Sequence, residues 1–498
     1  MSNPKSRRPL LRLALAGALL LPIAAGLTLA TAPAEAAKPT KLTFNLDVKE
    51  FTLDNGLRVY VVEDHSTPAF TINITYDVGS IDEVKGRTGF AHFFEHMMFQ
   101  GSKNLPDNAI GEYTERAGGY INAGTSFDTT AYFHVIPSQY LDMVLWGEAD
   151  RLANLEITEE AFEVQRNAVK SEKDRGDNQP FAKAIESMIA ELFENTPYSH
   201  LPIGSLEDLN AAQAKDTEDF FKTYYKPNNA VMVIVGDVDF ENVKERVNHY
   251  FGGIAKGEPK PAAPKGEVIR GRKIEKRVED DKAQQTQWLF AWPTVGDNHP
   301  DRPAVDLLGN ILFGGNSARV PKLFTDDKKW TAFAGGGHLF AFRDSGAMLF
   351  FGVPTAEGEK ALEDAKKALA AELTNIAKKG VSAKELEKAI NMKLMESVST
   401  LATNSGRANA IAQGALWYGD PKRMLSDLDR YAAVKPADIK RVAEQYLSYV
   451  AGRDLAAAEE PVIDALHLAF SEQGYDFRQM MLDYAASEQF GYRREPGM

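Results

Sequence analysis

Three side chains set within five positions, His92, Glu95 and His96, could hold a metal ion and use it. On a helix, residues four apart project from one face, so the two imidazoles can grip a single cation. Imidazole and carboxylate are ordinary zinc ligands, and a site with three protein ligands leaves its fourth position open to water, the mark of a catalytic ion. Such an ion lowers the pKa of its water from about 15.7 to roughly 7, and a carboxylate alongside can take the proton. Glu95 stands beside the histidine pair for that role.

A pair of histidines at this spacing also arises by chance on solvated helices. The flanks argue against that origin. Phe90, Ala91, Phe93, Phe94, Met97, Met98 and Phe99 make the helix too apolar for the surface. Two histidines and a glutamate buried together need a shared partner. A third ligand has to come from another element, because one helix offers one ion only two side chains at this spacing. Glu172 is the candidate, on a helix read from Glu159 to Lys173 where Arg166, Val169 and Glu172 lie three apart. A solvated helix carboxylate is the competing reading of that residue.

The elements around these residues alternate between strand and helix. Asp54-Asn55-Gly56 reads as a turn before the strand Leu57–Val62, and Thr71–Tyr76 alternates as a second strand. The motif helix is expected between Gly89 and Phe99. Gly118-Gly119 then opens a strand region through Ile136, and amphipathic helices follow at 140–154, 159–173 and 217–225. The run 256–266 is rich in Pro, Lys and Gly without apolar periodicity, as expected of a semi-rigid linker. Beyond it the pattern repeats, with a strand near Gln285–Ala291 and a helix Asp306–Phe313 closing on Gly314-Gly315. Aligning Phe99 with Phe313 puts Asp306, Gly309 and Asn310 at the positions of His92, Glu95 and His96. The second copy therefore lacks the chemistry. His134, between apolar strand neighbours, reads as a satisfied core histidine, and His200 as a structural loop residue.

The segment Phe90-Ala91-His92-Phe93-Phe94-Glu95-His96-Met97-Met98-Phe99-Gln100-Gly101-Ser102 resembles the inverted zinc motif, H-x-x-E-H, of the pitrilysin and mitochondrial-processing-peptidase family, in its short two-domain bacterial form. Gly119-Tyr120-Ile121-Asn122-Ala123, Asp150-Arg151-Leu152, the surroundings of Glu172 and Tyr225-Lys226-Pro227-Asn228-Asn229 match in order and spacing, from about Phe51 to Tyr446. The resemblance implies His92, His96 and Glu172 as ligands of one Zn²⁺ per chain, with Glu95 as general base. It implies an α+β fold of two homologous domains, each a mainly antiparallel sheet with helices packed on one side, together half of a clamshell. It also implies that a peptide substrate adds as a strand along Asn122, Ala123, Gly124 and Thr125. Family members hold the substrate carbonyl with an Arg and, seven residues on, a Tyr from a second-half domain. The matching positions here are Thr325 and Ala332, or Phe333 with one inserted residue, so a related subunit is expected to supply the pair. Arg319 or Tyr418 of this chain are the alternatives.

Residues 1–36 have the parts of a secretory signal: Lys5, Arg7, Arg8 and Arg12, an apolar run Leu13–Ala30, and Ala34-Glu35-Ala36 for cleavage. A membrane anchor competes, since the run is just long enough to span a bilayer. The arginine pair also resembles a twin-arginine export signal. The expected organisation is 1–36 signal peptide, 37–255 peptidase domain, 256–266 linker, 267–456 inactive repeat and 457–498 a helical tail of unassigned role. An exported, periplasmic protein without stable membrane insertion is expected. The 498 residues contain no Cys, so neither disulfides nor thiolate ligands are available. A net charge of −13 argues against nucleic acid as a partner. The reading is a zinc metalloendopeptidase, the catalytic subunit of a two-chain enzyme. A non-catalytic zinc-binding scaffold of the same fold is the runner-up, opposed by the intact His92, Glu95, His96 and Glu172.

Overall fold

The computed structural model describes residues 46–268, 273–356 and 358–450. The expected signal peptide, its cleavage site, the tail 457–498 and the short helices expected at 466–470 and 477–484 lie outside the described residues.

The first half builds a six-stranded sheet from β1 (Lys49–Thr52), β2 (Arg58–Glu63), β3 (Ala69–Tyr76), β4 (Tyr120–Thr125), β5 (Thr130–Pro137) and β6 (Ala230–Gly236), in the order β1-β2-β6-β3-β5-β4. Every pairing is antiparallel except β2 with β6. The residue types explain the order. β6, Ala-Val-Met-Val-Ile-Val-Gly, is buried throughout and takes the interior. β4 alternates between exposed and half-buried residues and forms an edge.

One face of this sheet is covered by helices of the same half, including Phe90–Met97, Leu141–Asn154, Ala214–Tyr224 and Phe240–Phe251. The other face carries Tyr60, Val62, Val231, Val233 and Val235. They pack against Ala408, Ile411, Ala412 and Ala415 of the helix Asn404–Tyr418, a contribution from the second half. Polar contacts fasten that helix, with Thr71 Oγ1 3.2 Å from Ser405 Oγ and Asn73 Nδ2 donating to Asn409 Oδ1 at 2.5 Å.

The second lobe repeats the first in abbreviated form. Its strands β7 (Trp288–Val295), β8 (Thr331–Ala341) and β9 (Ser345–Pro354) pair antiparallel in the order β7-β9-β8. Strand, helix, edge strand, central strand is also the sequence of β3, the motif helix, β4 and β5. The helix Arg302–Phe313 starts one turn before the expected Asp306, because Pro303 sits in its first turn, where a missing N–H costs nothing. Residues 255–266 form no regular element and run along the first lobe. Lys260 Nζ donates to Asp77 O at 2.7 Å and to Asp82 Oδ1 at 3.2 Å, and Asn228 makes two hydrogen bonds with the Gly257 backbone.

Candidate metal centre

The motif helix is fixed at both ends by buried charge. Gly89 precedes it at φ +88°, and Gly204 approaches so closely that a Cβ there would lie 2.4 Å from Gly89 N, so both positions need glycine. Glu83, fully buried, caps the helix: its Oε2 accepts the Gly89 N–H at 2.9 Å and its Oε1 the Ala91 N–H at 2.8 Å. A carboxylate suits the positive end of the helix dipole. His200 Nε2 lies 2.8 Å from the same carboxylate, which makes that loop histidine a support for the cap. At the far end Arg151, buried, donates to Met98 O at 3.3 Å and lies 4.7 Å above the Tyr132 ring. Its guanidinium is held by Glu148 through two hydrogen bonds, and Glu148 also meets His134 Nε2 at 2.5 Å. His134 Nδ1 pairs with Thr114 Oγ1 at 3.1 Å, so His134 is satisfied in the core.

Between those ends the apolar positions seat the helix and aim the histidines outward. Phe93 meets Phe162 edge to face at 5.1 Å, and Phe94 packs among Phe220, Phe221 and Tyr225. Burying each ring contributes about 1.5–3 kcal/mol, so the orientation of the opposite face is well determined. His92 Nε2 lies 3.7 Å and His96 Nε2 3.4 Å from Glu172 Oε2, and Glu172 comes from the helix Glu159–Asp177.

These separations fit an ion better than they fit each other. They exceed the ~2.9 Å of a good N–H···O bond. With ligand distances of roughly 2.0–2.2 Å, a tetrahedral zinc sets its ligands about 3.4 Å apart. The three atoms lie within 4.8 Å of one another, and among the described residues no other His, Asp or Glu set meets that test. His92 Nδ1 is buried without a hydrogen-bond partner, while His96 Nδ1 faces Gln165 Oε1 at 3.3 Å. Burial, reinforced by the neighbouring His96 and opposed by Glu172, lowers the His92 imidazole to about 4. The ring is therefore neutral near pH 7, with a lone pair to offer.

Glu95 is buried beside the histidines but takes no part in the cluster. Thr125 Oγ1 donates to its Oε2 at 2.6 Å. Burial raises the Glu95 carboxyl above its usual range, and the Thr125 hydrogen bond works against that rise. Thr125 ends β4, the edge strand that also holds Asn122, Ala123 and Gly124. The Ala123 N–H is held by Asn122 Oδ1 at 2.9 Å, Asn122 Nδ2 donates to the exposed Tyr120 hydroxyl at 2.8 Å, and Gly124 faces open space.

The family model described as Insulinase (Peptidase family M16) matches residues 58–203, and the one described as Peptidase M16 inactive domain matches residues 211–393. The zinc protease PqqE of Helicobacter pylori is 30% identical over 407 residues, which is 79% of this chain and 89% of that protein. The chain belongs to peptidase family M16. A probable mitochondrial-processing peptidase subunit beta of Arabidopsis thaliana is 26% identical to this M16 chain over 405 residues, 80% of the chain and 75% of that protein. A solved protease structure from Helicobacter pylori superposes with a TM-score of 0.73 at 27% identity, covering 80% of the chain and 96% of its own. The first half of the periplasmic protease PqqL of Escherichia coli superposes with a TM-score of 0.65 at 19% identity, covering 84% and 96%. A model described only as a protein of unknown function matches residues 425–490.

The second M16 lobe fills the equivalent place with a closed polar network. Asp306, at the repeat position of His92, accepts from Arg302 Nε at 2.8 Å, His338 Nδ1 at 2.6 Å and the Tyr431 hydroxyl. His338 Nε2 lies 2.6 Å from Thr294 Oγ1, so both its nitrogens are engaged. Asp306 is thereby held well below the ordinary carboxylate range despite its burial. Of the positions that could hold a substrate carbonyl, Thr325 and Arg319 are otherwise occupied: Thr325 Oγ1 sits 3.1 Å from Thr331 Oγ1, and Arg319 pairs with Glu385 at 2.8 Å and Glu372 at 3.4 Å. Phe333 is exposed and stacks on Phe351, and the Tyr418 hydroxyl is buried without a hydrogen bond.

Proposed function

We propose that this chain is an exported zinc metalloendopeptidase that cleaves peptides or unfolded segments at the centre formed by His92, Glu95, His96 and Glu172. The observation that carries the reading is the convergence of His92 Nε2, His96 Nε2 and Glu172 Oε2 at an ion's ligand spacing, with a buried, non-liganding Glu95 next to them. His92, His96 and Glu172 hold one zinc. When bound, zinc supplies Lewis acidity that polarises a carbonyl and makes water nucleophilic near neutral pH.

The chain's own residues do the rest. Glu95 takes a proton from the attacking water as the new C–O bond forms, and returns it to the amine nitrogen as the C–N bond breaks. Thr125 fixes one carboxylate oxygen, leaving the other to receive the proton. Substrate adds as a strand to the free edge of β4 at Asn122, Ala123, Gly124 and Thr125, where backbone hydrogen bonds give affinity with little sequence preference. Burial of the motif helix keeps bulk water from its rear, which strengthens the electrostatics at the base.

The proposed organisation is a signal peptide 1–36, a peptidase domain 37–255, a linker 256–266, an inactive repeat 267–456 and a tail 457–498. Export to the periplasm is supported by the compartment named for the PqqL protease. No helix among the described residues is long and apolar enough to cross a membrane. A second, related subunit is proposed to supply the missing Arg and Tyr, since Arg319 is tied to Glu372 and Glu385 within its own lobe. Losing one such donor typically costs about 10² to 10³ in rate.

The pure chain should therefore hydrolyse unfolded peptides slowly, lose that activity to a chelator and regain it with zinc. A related subunit from the same compartment should raise the rate by roughly 10² or more. A pure chain turning over at an ordinary rate of about 10 per second refutes the partner requirement. Hydrolysis indifferent to chelation refutes the metal centre as its source.

A further inference from the structure

The second lobe touches the first at a place that the chemistry above leaves unexplained. The tip of the β8–β9 hairpin, Phe342-Arg343-Asp344, enters a socket of the first lobe. Phe342 stacks on Tyr198 at 4.5 Å and 5°, and lies 4.3 Å from Phe127 and 5.4 Å from Phe193. The Arg343 N–H donates to Asp128 Oδ2 at 3.1 Å, and its guanidinium reaches Asp77 at 3.0 Å. The other oxygen of Asp128, a residue only 2% exposed, accepts from the Tyr198 hydroxyl at 2.8 Å. That hydroxyl in turn accepts the Asp344 N–H at 3.3 Å.

Phe127 and Asp128 form the turn between β4 and β5, directly after Thr125. From its own lobe the turn is held by the Ser80 N–H on Ser126 O at 3.3 Å and the Ile81 N–H on Phe127 O at 3.0 Å. Gly79 makes that approach possible, for a Cβ there would lie 2.3 Å from Phe127 O. The turn is therefore clamped between the two lobes. Joining the lobes does not require this hairpin, because the helix Asn404–Tyr418 already seals the opposite face of the first sheet. Phe342 on Phe127, Arg343 N–H on Asp128 and Asp344 through the Tyr198 hydroxyl all bear on the turn that ends the strand carrying Thr125, while Phe193 and Asp77 flank it.

We infer that the hairpin tip Phe342–Asp344 is a positioning element, which fixes the β4–β5 turn through Phe127 and Asp128 and so holds Thr125 against Glu95. The inference rests on the reading of Glu95 as the general base. Displacing a reacting group by about 1 Å can cost roughly 10²-fold in rate, so a looser turn should show in kcat.

The test is a double-mutant cycle in the full chain, with Phe342→Ala and Asp128→Asn each made in the wild-type and Thr125→Val backgrounds. Rates on a short peptide, zinc content and thermal midpoint are measured for each. In the wild-type background kcat should fall about tenfold, with KM and zinc content little changed. In the Thr125→Val background the same substitutions should change kcat by less than about twofold, because the link they act through is already cut. Phe342→Leu, which refills the socket, should restore most of the rate. Should Phe342→Ala fail to fold, Asp128→Asn, of the same shape, is judged by the same criteria. Equal losses in both backgrounds, or an unchanged kcat, overturn the inference while leaving the peptidase reading intact. A wild-type chain with no chelator-sensitive hydrolysis overturns both.

Discussion

Glu95→Gln keeps its zinc and loses hydrolysis, with kcat reduced by on the order of 10² to 10⁴, the usual share of a general base. The amide matches the carboxylate in size and can still accept the Thr125 hydroxyl through its oxygen, so the buried site is left in place. It cannot take a proton from water. Because Glu95 stands outside the three ligand atoms, metal content should match that of the wild type. Peptide binding along β4 should also persist, so KM should move far less than kcat. A variant cleaving peptides at near wild-type rate would show that another group serves as base.

Glu172→Ala gives the opposite pattern: zinc and activity are lost together. Only His92 and His96 then remain, both on one helix turn, and two imidazoles leave half of a tetrahedral shell unfilled. Elemental analysis after gel filtration should fall from one zinc per chain towards none, while the fold survives. Glu172 is about half exposed, and its oxygen approaches only the two histidines, so no core contact is removed. Stability without added metal should move by no more than about 0.5 kcal/mol, as for other surface substitutions. A variant that retains stoichiometric zinc would mean that Glu172 is not a ligand.

Much of this arrangement was legible because it is local. The spacing of His92 and His96 sets both on one helix face whatever the tertiary fold, and the surrounding Phe and Met residues forecast burial of the opposite face. The edge position of β4 was harder to see, since Gly118-Gly119 reads equally as a turn, and Gly118 does take φ +77° just before the strand. The supports of the site escaped notice for one reason: their partners are distant in sequence or are backbone groups. Glu83 caps a helix that starts seven residues later, and nothing in Asp82-Glu83-Val84 distinguishes a buried cap from a solvated turn. Gln165 faces His96 across 69 positions, and the Thr125 link to Glu95 spans 30. Arg343 reaches Asp128 across 215. In the second lobe, the substitution of Asp306 for His92 was readable as lost chemistry. Its enclosure was only partly so: Arg302 is one helical turn away, but His338 and Tyr431 come from a strand 32 positions on and a helix 125 positions on.

The central claim is that His92, His96 and Glu172 hold the metal, and anomalous diffraction at the zinc edge tests it most directly. Crystals of the chain purified with zinc should show one strong peak within about 2.0–2.2 Å of His92 Nε2, His96 Nε2 and Glu172 Oε2. A stoichiometric zinc peak elsewhere, or none in protein that still hydrolyses peptides, would contradict it.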